Sequence, residues 1–308
     1  MIQKFCSSVI YPIPPCFDSD DQFDHLSISG YLNHLQKYGA KVFLTTAGTS
    51  RYNFLSDREF ITFNETCAST SKESGAAFIM GLPPYADKHL EYFMNFSNDI
   101  KPDAVLAVYP DRYYGDAPIV EYFHRIADKS EVPVMIHGMF MRHALGGTYE
   151  FTTDLVSAIK QHKNIIGMKE ESINLNLAYL ISKLADDDFL VFPAGGSCRR
   201  YLLTHPAGAQ TFLGGIGNIF TEIEEYFFEL VKSEKQAKAN KIVREFEDPL
   251  FAVFSKIGWH MALQEALNHT GLLQTSNRKP FAPISEDKAE AVHNVLDDIK
   301  TRWQNYDR

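Results

Sequence analysis

Chemistry is suggested first by the segment NIIGMKEES, residues 164–172, where an apolar run ends on Lys169 and then on Glu170 and Glu171. Ile165, Ile166, Gly167 and Met168 have the pattern of a short buried strand. Desolvation at the end of such a strand works against a charged amine. A neutral amine in a dry pocket attacks carbonyls and forms Schiff bases. The same lysine could instead reach along the strand end to solvent, or pair with Glu170 or Glu171. Other polar residues say less. His143, His205 and His260 lack metal-ligand spacing, and the four cysteines are scattered with no C-x-x-C pair. In PAGGSCRRYLL a glycine pair precedes a helical stretch, where the Gly196 and Ser197 amides suit either an anion or a tight turn.

The elements that must position Lys169 can be read along the chain. Short apolar, β-branched runs occur at 7–13, 41–47, 76–81, 104–109, 132–138, 165–169, 189–193 and 210–215. Amphipathic stretches separate them. LSISGYLNHLQKYG sets Leu26, Tyr31, Leu32 and Leu35 at helical spacing. Another stretch starts with Ser56 three residues before Glu59, a capping-box pattern, and ends at Gly75. Eight strands alternating with helices predict a (β/α)8 TIM barrel over residues 1–221. An open doubly wound sheet fits less well, because PIPPCFDSDD lacks a glycine-rich phosphate fingerprint. Residues 222–308 have helical periodicity throughout and predict a C-terminal helical extension, with Ser285 placed to cap the last helix.

Composition narrows the partners. The 308 residues are 45% hydrophobic and 22% charged, ordinary for a globular protein. A formal charge of −9 argues against nucleic acid or an anionic membrane as a general partner. The start, MIQKFCSSVIYPIPP, has no apolar stretch long enough for a signal peptide, and no run approaches the roughly 18 apolar residues of a membrane span. A soluble cytoplasmic protein with reduced cysteines is expected.

At this point the chain resembles a known family. NIIGMKEES is similar to the Schiff-base segment of the dihydrodipicolinate synthase and N-acetylneuraminate lyase superfamily, class I pyruvate-dependent aldolases on a (β/α)8 barrel. YPIPPCF, AGTSRYNFLSDRE, VPVMIHGMFMR and FLGGIGNIF resemble further family segments in the expected order. The resemblance implies that Lys169 is the Schiff-base nucleophile and needs no metal or cofactor. It sets His137 where the family has a proton-shuttling tyrosine, a role imidazole can also fill. It aligns Ala47, Gly48, Thr49, Ser50 and Arg51 with a carboxylate-binding Gly-Thr-Thr-Gly-Glu loop, where Thr49 keeps one hydroxyl and Ser50 or Thr46 could replace the other. A second family tyrosine falls among Tyr109, Tyr113 and Tyr114, with Tyr113 preferred. Arg142, five residues after His137, matches a substrate-binding arginine, and Ile216 lies in the glycine-rich turn on the substrate side. HALGGTYEF resembles a loop insertion that Gly146 and Gly147 would let bend over the barrel mouth.

The resulting expectation is a lyase or aldolase that joins a 2-keto acid, with pyruvate the first choice, to an aldehyde, or cleaves such a product. The alternatives are a sugar-acid aldolase, a keto-sugar-acid dehydratase, or a keto-acid-binding barrel with impaired turnover. By the same resemblance the assembly is a homo-oligomer, a dimer or tetramer.

Overall fold

The computed structural model of the protein describes residues 2–84, 87–143 and 146–307. Nine strands are formed among the described residues. They are β1 (Ile10–Pro12), β2 (Val42–Thr45), β3 (Ala77–Leu82), β4 (Ala104–Val108), β5 (Val134–Gly138), β6 (Met141–Arg142), β7 (Thr148–Tyr149), β8 (Ile165–Glu170) and β9 (Leu190–Pro193). Seven of them make one parallel sheet in the order β1-β2-β3-β4-β5-β8-β9, while β6 and β7 pair as a small antiparallel ribbon. Strand alternation divides the core in two. Ile10, Leu44, Ile79, Leu106 and Phe192 fill the barrel interior. Tyr11, Phe43, Met80, Val105 and Val191 face the surrounding helices.

The sheet curls until its two ends meet across residues 210–214. Leu213 N–H donates to Pro193 O, Ile10 N–H to Phe212 O and Gly214 N–H to Ile10 O. The eighth strand expected at 210–215 is thus reduced to a single bridge, Ile10 to Leu213. The reason is local: Gly215 N–H turns away from the ladder to donate to the buried Glu224 carboxylate. The fold is a TIM barrel closed by that short segment, followed by a helical C-terminal region.

Helix signals in the sequence translate unevenly. Ser56 and Glu59 form the full capping box of Asp57–Ser74, and Gly75 ends that helix at φ 73°. The helix His25–Lys37 buries Ile28, Tyr31, Leu32 and Leu35 and is capped by Asp24. Leu26, counted on its apolar face from spacing alone, is 73% exposed in the first turn. Ser285 stands at the N-cap of Glu286–Gln304 without a side-chain capping bond. The expected boundary at 221/222 meets the start of the helix Thr221–Lys232. That helix packs Phe227 against Phe212, as the eighth helix of a barrel should, so the packing favours a division after Lys232. Beyond it come Gln236–Ile242, a π-turn at Val243–Glu247, Asp248–Ile257 and Trp259–Thr270. Gly258, at φ 102°, breaks the chain between the last two. All four cysteines are free thiols.

Candidate active site

Parallel register explains how two residues thirty-two positions apart come together. On β5 and β8, His137 is the direct neighbour of Lys169. Both side chains point into the barrel at its C-terminal end, the end that carries chemistry in this architecture. Each residue is only 3% exposed. Lys169 Nζ is 2.8 Å from His137 Nε2 and 2.9 Å from Glu171 Oε2. The same Oε2 is 2.6 Å from His137 Nε2, which closes a triangle of three polar atoms.

Glu171 was not among the residues assigned a role from sequence. Its signal was present in the two-residue spacing from Lys169, which puts both on the same side of an extended chain. Glu170, between them, faces outward instead. There its Oε2 accepts from Arg200 Nη2 at 2.7 Å, while its Oε1 accepts from Ser172 N–H. The sequence alternatives for Lys169 are therefore combined: the amine is buried, and it is paired, with the inward glutamate. Its surroundings are more polar than an apolar strand end suggests.

Electrostatics in the triangle follow from burial and proximity. Burial alone would raise the Glu171 carboxyl, but the Lys169 charge and the His137 and Lys169 hydrogen bonds outweigh it and hold it below the usual carboxylate range. Burial, and then the Lys169 charge, push the His137 imidazole below its usual value, against the pull of Glu171. His137 Nδ1 is buried with no hydrogen-bond partner among the described residues.

Lys169 and Glu171 form the base of a cavity of about 340 Å³. One wall is Gly48 and Thr49; the facing wall is Gly195–Ser197 with Leu213–Gly215. Phe251, Trp259 and His260, from the C-terminal helices, close the far side. The break at Gly258 makes this roof possible, and Trp259 stacks on Phe251 with centroids 5.5 Å apart and planes at 20°.

Several expected site residues sit elsewhere. Ser50 is fully buried and its hydroxyl donates to Ile13 O at 2.6 Å, so it braces the loop rather than faces the cavity. Thr46 is likewise committed, to Gly81 O at 2.7 Å. Ile216 is buried beneath the glycine-rich turn and is not among the cavity-lining residues. Tyr113 stacks on Tyr149 at 3.8 Å and donates to Asp116, outside the cavity. Arg142 lies on the β6–β7 ribbon with its side chain 65% exposed, paired with Asp111 at 2.5 Å, and does not line the cavity. Its strand, Met141–Arg142, pairs with Thr148–Tyr149. Of the proposed loop insertion, Ala144 and Leu145 lie outside the described residues.

Arg51 does not project into solvent. It is buried, donates from Nη1 to Gln264 Oε1 at 2.8 Å and packs over the Phe281 ring, and burial pushes its guanidinium down to about 10. The candidate anion turn at Gly196 and Ser197 lines the cavity, with internal carboxylates bonded beside it. Glu247 accepts from the next two amides, Cys198 and Arg199, at 2.8 and 3.0 Å. Glu224 takes the Ser197 hydroxyl at 2.6 Å together with the Gly215 and Gly217 amides. Gly48–Thr49 and Gly196–Ser197 are thus two backbone turns that both line the cavity.

Comparison with known proteins agrees with this architecture. The sequence model of the dihydrodipicolinate synthetase family matches residues 7–299. A 4-hydroxy-tetrahydrodipicolinate synthase of Leuconostoc citreum is 22% identical over 286 residues, covering 92% of this chain and 95% of its own. Among solved structures, the 4-hydroxy-tetrahydrodipicolinate synthase of Methylacidiphilum fumariolicum SolV superposes with a TM-score of 0.85 at 19% identity, over 97% of each chain. A catalytic lysine mutant of the sialic acid aldolase of Ruminococcus gnavus reaches 0.87 at 16% identity, over 99% of each chain.

Proposed function

The chain belongs to the dihydrodipicolinate synthetase family, and on that premise we propose that it is a class I aldolase or lyase forming a Schiff base between Lys169 and a 2-keto acid, with pyruvate as the first candidate. The observation that carries the reading is the buried Lys169 amine at the base of the mouth cavity, beside His137 and Glu171. A relative of the same fold, the Ruminococcus gnavus aldolase, is described as having a catalytic lysine.

In this reading Lys169 Nζ attacks the keto carbon, and the triangle it forms with His137 and Glu171 serves the proton transfers that follow. The Gly48–Thr49 turn, with the Thr49 hydroxyl, binds the keto acid's carboxylate. The second substrate is an aldehyde lodged under Phe251, Trp259 and His260. That roof supports an acceptor with an apolar face more than a dicarboxylic one, because Arg142 is engaged with Asp111 on the surface. Ile173, Leu175, Tyr179 and Leu180 form an exposed apolar stretch on one segment, which supports assembly as a homo-oligomer, a dimer or tetramer. No helix among the described residues is long and apolar enough to cross a membrane, and a cytoplasmic location is the proposal that accompanies the reading.

The test is reductive trapping. Incubation with pyruvate and borohydride, followed by mass spectrometry, should leave the reduced adduct on Lys169. Absence of an adduct with every 2-keto acid tried would overturn the reading. A second reading, a keto-acid-binding barrel without efficient turnover, is favoured by the histidine at the family's tyrosine position. It predicts an adduct but no product across a panel of aldehydes.

A further inference from the structure

We propose that Glu171 is the general acid–base of this site, with its Oε2 holding and returning the proton that the reaction moves, and that His137 positions it. This rests on the Schiff-base reading above and specifies which atom carries the proton.

The argument is a count of donors and acceptors. Lys169 Nζ, His137 Nε2 and Glu171 Oε2 lie within 2.6–2.9 Å of one another. A neutral imidazole offers Nε2 either as a donor or as an acceptor, not both. A proton on Nδ1 would be a buried donor without a partner, since that atom has none among the described residues. The favoured tautomer therefore carries its proton on Nε2 and donates it to Oε2 across 2.6 Å. In that tautomer Nε2 cannot accept a proton from the lysine. Of the three atoms, only Glu171 Oε2 can.

The carboxylate is also placed to reach substrate. Its side chain is 30% exposed and lines the cavity, whereas those of His137 and Lys169 are almost enclosed, at 4% and 3%. Its titratable neighbours are Lys169 two residues earlier, His137 on β5 and His260 across the cavity. The Lys169 charge is what holds the Glu171 carboxyl low in the resting site. Once the nitrogen is a neutral amine or carbinolamine, that restraint is gone and the carboxylate becomes a better base. Proton affinity at Glu171 thus rises at the steps that need it to hold a proton.

The proton balance closes. The Lys169 ammonium gives one proton to Glu171 and becomes the free amine. The amine adds to the keto carbon to give the carbinolamine, whose oxygen takes one proton from the nitrogen and one from the Glu171 carboxylic acid and leaves as water as the C–O bond breaks. The products are the iminium and the Glu171 carboxylate. That carboxylate then removes a proton from C3 to give the enamine. When the enamine carbon bonds to the aldehyde carbon, Glu171 returns the proton to the aldehyde oxygen.

The experiment uses pyruvate alone, so it needs no knowledge of the aldehyde. Loss of the pyruvate methyl protons in D2O is followed by NMR across pH, and the Lys169 adduct is trapped with borohydride in parallel. Wild type should do both. Glu171→Gln should form the adduct more slowly, and methyl exchange should fall by about 100-fold, the scale of general acid–base catalysis. Glu171→Asp should recover part of it. Should Glu171→Gln lose the adduct as well, Glu171→Asp decides: recovered exchange supports the assignment, and exchange as low as in the glutamine variant overturns it. Exchange in Glu171→Gln within about threefold of wild type and with the same pH profile also overturns it, given the scale expected. So does a wild type that forms the adduct without exchanging the methyl. A wild type that forms no adduct at all fails the Schiff-base reading itself, and the assignment with it.

Discussion

His137 and Lys169 occupy equivalent positions on adjacent parallel strands, with Nε2 and Nζ 2.8 Å apart. A one-residue change of register would send one of them to the helix-facing side. The contact is thus set by the sheet and not by loop conformation, and it makes the pair a sound target for substitution.

Replacing His137 with tyrosine should lower the rate by about 10- to 100-fold, in keeping with disturbed proton transfer. Burial and Lys169 hold the imidazole below its usual value, so wild type should lose activity only on the acid side of that value, where the ring gains a second proton. His137→Tyr should lack this acid limb. A pH–rate profile of both proteins makes the comparison, and an unchanged rate and profile would remove His137 from the chemistry.

Arg142 and Trp259 should respond in opposite ways. The Arg142–Asp111 pair is exposed on both sides, so Arg142→Ala should cost at most about 1 kcal/mol and leave the acceptor KM nearly unchanged. Trp259 covers the cavity, and Trp259→Ala should raise the acceptor KM by roughly tenfold, the worth of about 1.4 kcal/mol of lost contact. Steady-state kinetics on any accepted aldehyde tests both. A large effect at Arg142 with none at Trp259 would reverse the proposed acceptor side.

Gly81 lies against the Thr46–Thr49 segment, its carbonyl accepting from the Thr46 hydroxyl. A Cβ there would stand 2.4 Å from the Thr46 carbonyl oxygen, a backbone atom that cannot swing aside. Gly81→Ala should destabilise the protein by about 1–3 kcal/mol through overpacking. By displacing the Thr46–Thr49 segment it should also raise the keto-acid KM more than it lowers kcat. Equal stability to wild type in urea would show that the loop yields freely.

Glu225 gives the protein a pH-dependent stability unrelated to catalysis. Burial, with the neighbouring Glu224 charge, raises its carboxyl to about 8, although it accepts from Tyr11 Oη at 2.8 Å and Val9 N–H at 3.2 Å. A folded-state value above the unfolded one means stability is full below about 4.5 and is lost as pH rises through about 8. The melting temperature should therefore fall between pH 5 and pH 9. Glu225→Gln should flatten that fall by roughly 2–4 °C, as expected for about 1 kcal/mol in a protein of this size. An identical slope in the variant would assign the effect to other buried carboxylates, such as Glu247.

The sequence by itself determined the alternation of strands and helices, and with it the barrel, because periodicities of 2 and 3.6 are written in local order. It also determined that a lysine follows the apolar run of the strand Ile165–Glu170 near its end, since apolar runs mark their own boundaries. The capping box at Ser56 and Glu59 was legible for the same reason: its partners are three residues apart. What only the tertiary structure decided is which polar groups meet. Glu171 and Glu170 are adjacent and chemically identical, yet strand direction sends one to Lys169 and the other to Arg200. Arg142 keeps its spacing from His137, but a two-residue ribbon carries it to the surface. Beside Gly196 and Ser197, Glu247 and Glu224, from segments 27 to 51 residues away, take the next two amides and the Ser197 hydroxyl. Trp259 enters the site only because the chain breaks at Gly258 and lays the C-terminal helices across the mouth. Apart from the Lys169–Glu171 pair, whose two-residue spacing was in the sequence, these outcomes depend on contacts between residues far apart in the chain, and such contacts leave no period in the sequence for a reader to find.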